Sequence, residues 1–213
     1  MLKIIENSEV FWTQKPLEAS QIKKINNYPI FLPKQTHSDI VEFVSEYKDS
    51  SIYADALITS STSFFIGVKT ADCVPVLIIG DSMVGVVHAG WRGLVQSIVF
   101  KTLEKMDELG CNIKHIFVGA HICKNCYEVG QDVVDNLPGY YREERYLKTA
   151  ISGKYFLDLF SMVCHQIEIF NPLIKIEHIG KYTCCNNDLF YSYRKEKTQK
   201  RNLWAIRLIN KEF

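Results

Sequence analysis

The sequence has no apolar run long enough to cross a bilayer, no excess of charge of either sign, no internal repeat and no proline-, glycine- or serine-rich linker. Its longest apolar stretches, VPVLII (74–79) and LVQSIVF (94–100), fall far short of the ~20 residues that a membrane helix needs. Twenty-five Lys and Arg against 24 Asp and Glu leave a net charge of +1, which removes the electrostatic case for nucleic acid or an anionic membrane. The N-terminus, MLKIIENSEVFW, lacks an uninterrupted apolar core and a small-residue cleavage motif, so it does not read as a signal peptide. A chain that is not exported keeps its cysteines as thiols, and the odd count of seven agrees. The expectation is a cytoplasmic protein with neither membrane nor nucleic-acid partners, a monomer or a small homo-oligomer.

What is present is ordinary globular composition, 47% hydrophobic and 23% charged over 213 residues, read as one domain spanning 1–213. Strands are expected at Ile40–Val44, Phe64–Lys69, Val74–Ile79 and Met83–His88, then at Ile116–Gly119, Ile174–Ile179, Phe190–Tyr193 and Leu203–Ile209. The unbroken β-branched run at 74–79 suits a strand buried on both faces. Leu94–Leu109 reads as a helix with Val95, Ile98, Val99, Leu103 and Met106 on one stripe and Gly110 as its terminator. Leu159–Phe170 reads as a second helix, capped by Asp158 and stopped by Asn171-Pro172. Strands and helices interleave, so the fold class is mixed α/β.

The chemistry concentrates in VKTADCVPVLIIGDSMVGVVHAGWRG, 68–93. A hairpin with a two-residue loop at Gly80-Asp81 puts Cys73 directly opposite His88, with Cβ atoms ~5 Å apart and able to share one metal. His37, in LPKQTHSDIV, offers a third ligand. His-Cys-His leaves a tetrahedral zinc one open corner, the mark of a catalytic rather than a structural site. Residue types alone leave the alternative open: a buried small thiol and two ordinary histidines. After His88, Gly90 and Gly93 lead into the 94–109 helix, whose N-terminal N–H groups, together with Arg92, suit a phosphate or another anion.

Other residues carry two readings each. Asp72 could act as general acid or orient a ligand, or simply cap a turn, and Tyr127 and Glu128 are similar cases. Cys123-x2-Cys126 with Cys184-Cys185 could form a second, structural zinc site, but adjacent cysteines supply poor geometry for half of it, and reduced thiols are the simpler reading. His115 and His165 read as structural, and RKEKTQKR (194–201) as a solvated hairpin loop.

Taken in order, QTHSDIV, ADALIT, VKTADCVPVLI, VHAGWRG, CYEVG, YFLDL and FYSYR closely resemble the laccase-domain (YfiH-like, multicopper polyphenol oxidase) family over roughly residues 30–209. The resemblance implies a single-domain α-β-β-α layered fold with mixed sheets and one zinc per chain on His37, Cys73 and His88. It implies phosphorolysis of adenosine, inosine and 5′-methylthioadenosine, with adenosine deamination as a side activity. It also implies that Gln35, Arg92 and Arg194 bind substrate and phosphate and that Cys73, Asp72 and Arg92 serve catalysis. The chain departs from the family pattern at GAHICKNCYEVG (119–130), where His121 and Cys123 are extra and Asn125 replaces a cysteine, and at Tyr182, where a cysteine is common.

Three other functions remain to be weighed. Copper in place of zinc would suit phenol oxidation, although six histidines are too few for a trinuclear cluster plus a blue-copper centre. A Cys73 nucleophile with a histidine base would suit a hydrolase that edits cell-wall precursors. A zinc-stabilised interaction module would have a closed metal site, which the open corner argues against.

Overall fold

The computed structural model describes residues 1–47, 52–150 and 153–209. Two six-stranded sheets stack face to face. The first runs, edge to edge, Leu2–Ile5 (β1), Ser8–Trp12 (β2), Asn202–Leu208 (β15), Phe65–Thr70 (β7), Tyr28–Phe31 (β4) and Lys24–Ile25 (β3). The second runs Lys175–His178 (β14), Ile113–Val118 (β10), Val74–Gly80 (β8), Val84–Ala89 (β9), Ala56–Thr59 (β6) and Val41–Phe43 (β5). Both sheets are mixed: β4 pairs parallel with β7, β5 with β6, and β10 with β14, among antiparallel neighbours.

Alternation on β8 and β9 explains the layering. Leu77, Ile79, Val84 and Val86 face the first sheet and meet Ile66, Val68, Trp204 and Ile206. Val74, Val76, Ile78 and Val87 face the other way, onto helices Trp91–Val95 (α1), Ile98–Glu108 (α2) and Leu159–Phe170 (α4). Burial on both faces is what the continuous apolar run of β8 requires. Trp204 is the centrepiece of the inter-sheet core, stacked between Trp12 and Phe190, with its Nε1 donating to Thr70 Oγ1 at 3.1 Å. Helix Gln131–Asp135 (α3) and a three-stranded sheet of Glu128–Val129 (β11), Tyr155–Leu157 (β13) and Leu147–Thr149 (β12) complete the helical side. The opposite outer layer is thin: a 3-10 turn at Ala19–Gln21 and β3 cover Phe65, Leu203 and Ala205.

Helix α4 spans Leu159–Phe170 with Asp158 capping Ser161 N at 3.0 Å, as the sequence indicates. The 94–109 helix differs. It begins earlier, at Trp91 with Gly90 as N-cap, and is broken at Ser97, whose φ of 64° is left-handed, before α2 resumes at Ile98. α2 ends in a Schellman motif: Gly110 (φ +77°) N donates to Asp107 O and Cys111 N to Met106 O. The expected strand at Phe190–Tyr193 is not one. The Asn202 side chain accepts from Tyr191 N at 2.9 Å and donates to Tyr191 O at 2.9 Å, doing for this segment what a ladder would. The 194–201 run accordingly is no hairpin loop; it starts inside the short helix Tyr193–Glu196 (α5).

The β8–β9 register also differs. Residues 80–83 make the turn, Ile79 pairs with Val84, and Pro75 rather than Cys73 faces His88. The slip is by two residues. An odd slip would throw Cys73 onto the helical face, whereas an even one keeps it on the same face as His88, displaced along the strand. Both therefore open at the end of the inter-sheet core.

Candidate metal centre

His37, Cys73 and His88 converge there: one ligand atom from each lies within 4.8 Å of the others. His88 comes from the end of β9 and Cys73 from the residue before β8. His37 comes from the loop after β4, its ring 4.7 Å from that of His88 and inclined at 73°. His37 is exposed, Cys73 half-buried and His88 buried, so the cluster opens to solvent on one side. A Cβ at Gly90 would crowd the cluster, lying 3.1 Å from the His37 ring and 3.2 Å from Cys73 Sγ, so those ligands would have to give way slightly.

Asp55, fully buried in front of β6, organises the cluster. The β6–β9 register, Ala56 opposite Val87, continues to set Asp55 beside His88. Its Oδ1 lies 2.7 Å from His88 Nδ1 and accepts His37 N at 3.1 Å. Its Oδ2 accepts Thr36 N at 3.0 Å and both N and Oγ of Ser38 at 2.7 Å. One carboxylate thus gathers three successive N–H groups, holds His37 at the left-handed φ of 60°, and occupies one His88 nitrogen so that Nε2 is left for a metal. The donor set fits zinc: two imidazoles and a thiol, with a carboxylate behind one imidazole.

Without a bound cation the cluster has the electrostatics of a thiolate beside an imidazolium. Burial would raise the Cys73 thiol, but the His88 charge and hydrogen bonds from His37 and His88 bring it down to about 6. Burial would lower His88, but the Cys73 charge and the Asp55 hydrogen bond raise it to about 9. Burial likewise works against the Asp55 carboxylate, yet hydrogen bonds from His88, Ser38 and Thr36 hold it well below the usual range. Asp55 escaped the sequence reading; its signal was ADALIT, an aspartate at the head of a strand, whose partner only the sheet order reveals.

The cluster lies in a cleft of about 760 Å³. Lys34, Lys69, Arg194 and Arg201 line it, as do Gln35, Tyr127 and Tyr193, and Asp72 is the one carboxylate among these described lining residues. Asp72 (φ 101°) spends its carboxylate on Thr183 Oγ1 at 2.6 Å, Ser192 Oγ at 2.7 Å and Arg194 N at 2.6 Å, so it anchors the 183–194 segment against the Cys73 loop. The Gln35 amide pairs with the Lys69 backbone, donating to O at 2.9 Å and accepting from N at 2.8 Å. Arg194 lies over the Tyr127 ring, 5.3 Å from its centroid. Arg92 is exposed over Trp91 and does not line the cleft, and α1, five residues long, is too short to serve as the anion cradle expected from a long helix. His115 is a buried member of β10, and His165 packs among Tyr140, Tyr141 and Tyr146.

A family model described as multi-copper polyphenol oxidoreductase laccase matches residues 14–208. A purine nucleoside phosphorylase of Aquifex aeolicus is 37% identical over 179 residues, covering 83% of this chain and 82% of that one. Adenosine deaminase RL5, from an unknown prokaryotic organism, is 30% identical over 187 residues, covering 78% and 70%. Among solved structures, the Bacillus licheniformis hypothetical protein YfiH superposes with a TM-score of 0.81 at 21% identity, over 94% of this chain and 92% of that one. YlmD from Geobacillus stearothermophilus superposes at 0.79 and 21%, over 96% and 93%.

Proposed function

Because this chain belongs to the multi-copper polyphenol oxidoreductase laccase family and has relatives named as purine nucleoside phosphorylases, we propose that it cleaves purine nucleosides with phosphate at the His37–Cys73–His88 centre. Adenosine, inosine and 5′-methylthioadenosine are the proposed substrates, and adenosine deamination a side activity in keeping with the relative named adenosine deaminase. The observation that carries this reading is a three-ligand His/Cys set opening into a cleft lined by four cations.

Departure of a purine builds positive charge on the sugar and negative charge on the base, so the attacking phosphate must be held beside the sugar by fixed cations. Lys69, Arg194 and Arg201 take this role in place of Arg92. The Arg201 guanidinium is pinned by donating to Thr198 O and Lys200 O, and that of Arg194 by Cys126 O and the Tyr127 ring, while Asp72 holds the Arg194 backbone N–H, so both are ordered before substrate arrives. Tyr127 and Tyr193 also line the cleft and supply aromatic surface for a planar base. Asp72 acts as a positioning residue, fixing Arg194 rather than delivering a proton. A zinc bound by His37, Cys73 and His88 supplies Lewis-acid polarisation of a substrate or phosphate oxygen. Incubation of the metal-analysed protein with inosine or adenosine, with and without phosphate, tests the reading. Phosphate-dependent release of base with ribose-1-phosphate supports it; base release indifferent to phosphate overturns it.

One observation favours a second reading. Asp55, His88 and Cys73 are arranged as a carboxylate, an imidazole and a thiol in sequence, the order of a nucleophilic triad, which would suit a hydrolase acting on cell-wall precursors. A metal on Cys73 occupies that thiolate, so metal content separates the two. Copper is the alternative occupant, and blue-copper-type visible absorption of the pure protein would identify it.

A further inference from the structure

A second group of thiols lies outside the centre described above. Cys123 caps and Cys126 ends the 3-10 turn Lys124–Cys126, closed by Cys126 N donating to Cys123 O at 3.0 Å. Cys185 reaches them from a segment about 60 residues further on, its sulfur 3.3 Å from that of Cys123 and 3.7 Å from that of Cys126. All three sulfurs lie within 4.8 Å of one another. The edge of a tetrahedron of thiolates at ~2.3 Å from zinc is about 3.8 Å; the 3.7 Å separation matches it and the 3.3 Å one falls somewhat short, and both are far beyond the ~2.05 Å of a disulfide. The backbone is built to keep them so: His121 bridges Tyr182, Thr183 N donates to His121 O at 2.8 Å, and Asn186 N donates to Tyr182 O at 2.7 Å.

The geometry points to a second metal site, in which Cys123, Cys126 and Cys185 hold a zinc ion with the fourth corner toward solvent. The adjacent-cysteine geometry that counts against Cys184 and Cys185 acting together is not needed, because Cys185 alone supplies the third sulfur. Binding removes the three thiol protons to solvent and leaves a site of net charge −1. The ion ties the 123–126 turn to the 182–186 segment. Each is one step from the catalytic cleft: Tyr127 lines it, and Thr183 Oγ1 donates to Asp72 beside Cys73. The second ion therefore braces the cleft wall, and the assignment does not depend on which reaction the first centre carries out.

Zinc content of the full chain, expressed with zinc and purified under reducing conditions, tests this. About two ions per chain are expected in the wild type, about one in H37A/C73A and about one in C123S/C126S. Cobalt added to metal-stripped H37A/C73A should give sulfur-to-metal charge-transfer bands, which are lost when C185S is added at that exposed position; this holds even if C123S/C126S does not fold. Folded H37A/C73A that retains no zinc and shows no such bands overturns the proposal. So does a non-reducing peptide map in which Cys185 is disulfide-bonded to Cys123 or Cys126. Wild-type zinc that does not fall in H37A/C73A would count instead against the first centre, so the two assignments fail separately.

Discussion

His88 Nδ1 and Asp55 Oδ1 lie 2.7 Å apart, with Asp55 wholly buried and His88 nearly so. A carboxylate in that position fixes which imidazole nitrogen faces the cluster and, through the N–H groups of residues 36–38, where His37 stands. Asp55→Ala should therefore lower zinc affinity by about 10- to 100-fold and cost about 3 kcal/mol in denaturant unfolding. Competition against a chelator reads the first quantity. Unchanged affinity would show that Asp55 supports the fold alone.

The thiol at Cys73 sits near 6 rather than its ordinary 9.0, and His88 near 9 rather than 6.5. The depressed Cys73 contributes stability that is complete above pH 9 and lost as pH falls through about 6; the raised His88 contributes stability that is complete below 6.5 and lost as pH rises through about 9. Between those limits the two slopes oppose and nearly cancel, so melting curves are a poor probe of the pair. Alkylation is a better one. In metal-stripped protein the rate at Cys73, resolved by peptide mass, should rise with a midpoint near pH 6. A midpoint near 9 rules out the thiolate–imidazolium pair.

Gly90→Ala places a methyl group 3.1 Å from the His37 ring and 3.2 Å from Cys73 Sγ, at a backbone φ of −82° that alanine adopts freely. The expected result is zinc binding weakened by about tenfold with thermal stability close to wild type. A large loss of stability with normal metal content would place the effect in packing.

Arg194 lines the cleft and Arg92 does not. Arg194→Ala should raise the KM for phosphate by roughly tenfold or more, as removal of a charged hydrogen bond does, and Arg92→Ala by much less. The reverse ranking would return the phosphate site to the HAGWRG loop.

Asn202→Ala leaves Tyr191 N and O, and Thr70 O, without the bonds that this buried amide makes. A cost of about 2–3 kcal/mol is expected, together with loss of order in α5 and so of Arg194. Proteolysis within 190–200 that stays as slow as in the wild type would contradict it.

Periodicity along the chain reaches what depends on near neighbours. The doubly buried run at 74–79, the α4 helix with its Asp158 cap, and the Gly110 terminator all follow from periodicity and backbone preference within a dozen residues. The motifs also singled out His37, Cys73 and His88 as a group. What depends on strands meeting is settled only in the folded molecule. The β8–β9 slip turns on the length of one turn, and the break at Ser97 on a single left-handed residue. Asp55 meets His88 because β6 pairs with β9, and Cys185 meets Cys123 across 62 residues. Such contacts carry no periodic signature, because a carboxylate or a thiol looks the same in sequence whether its partner is water, a histidine or a metal.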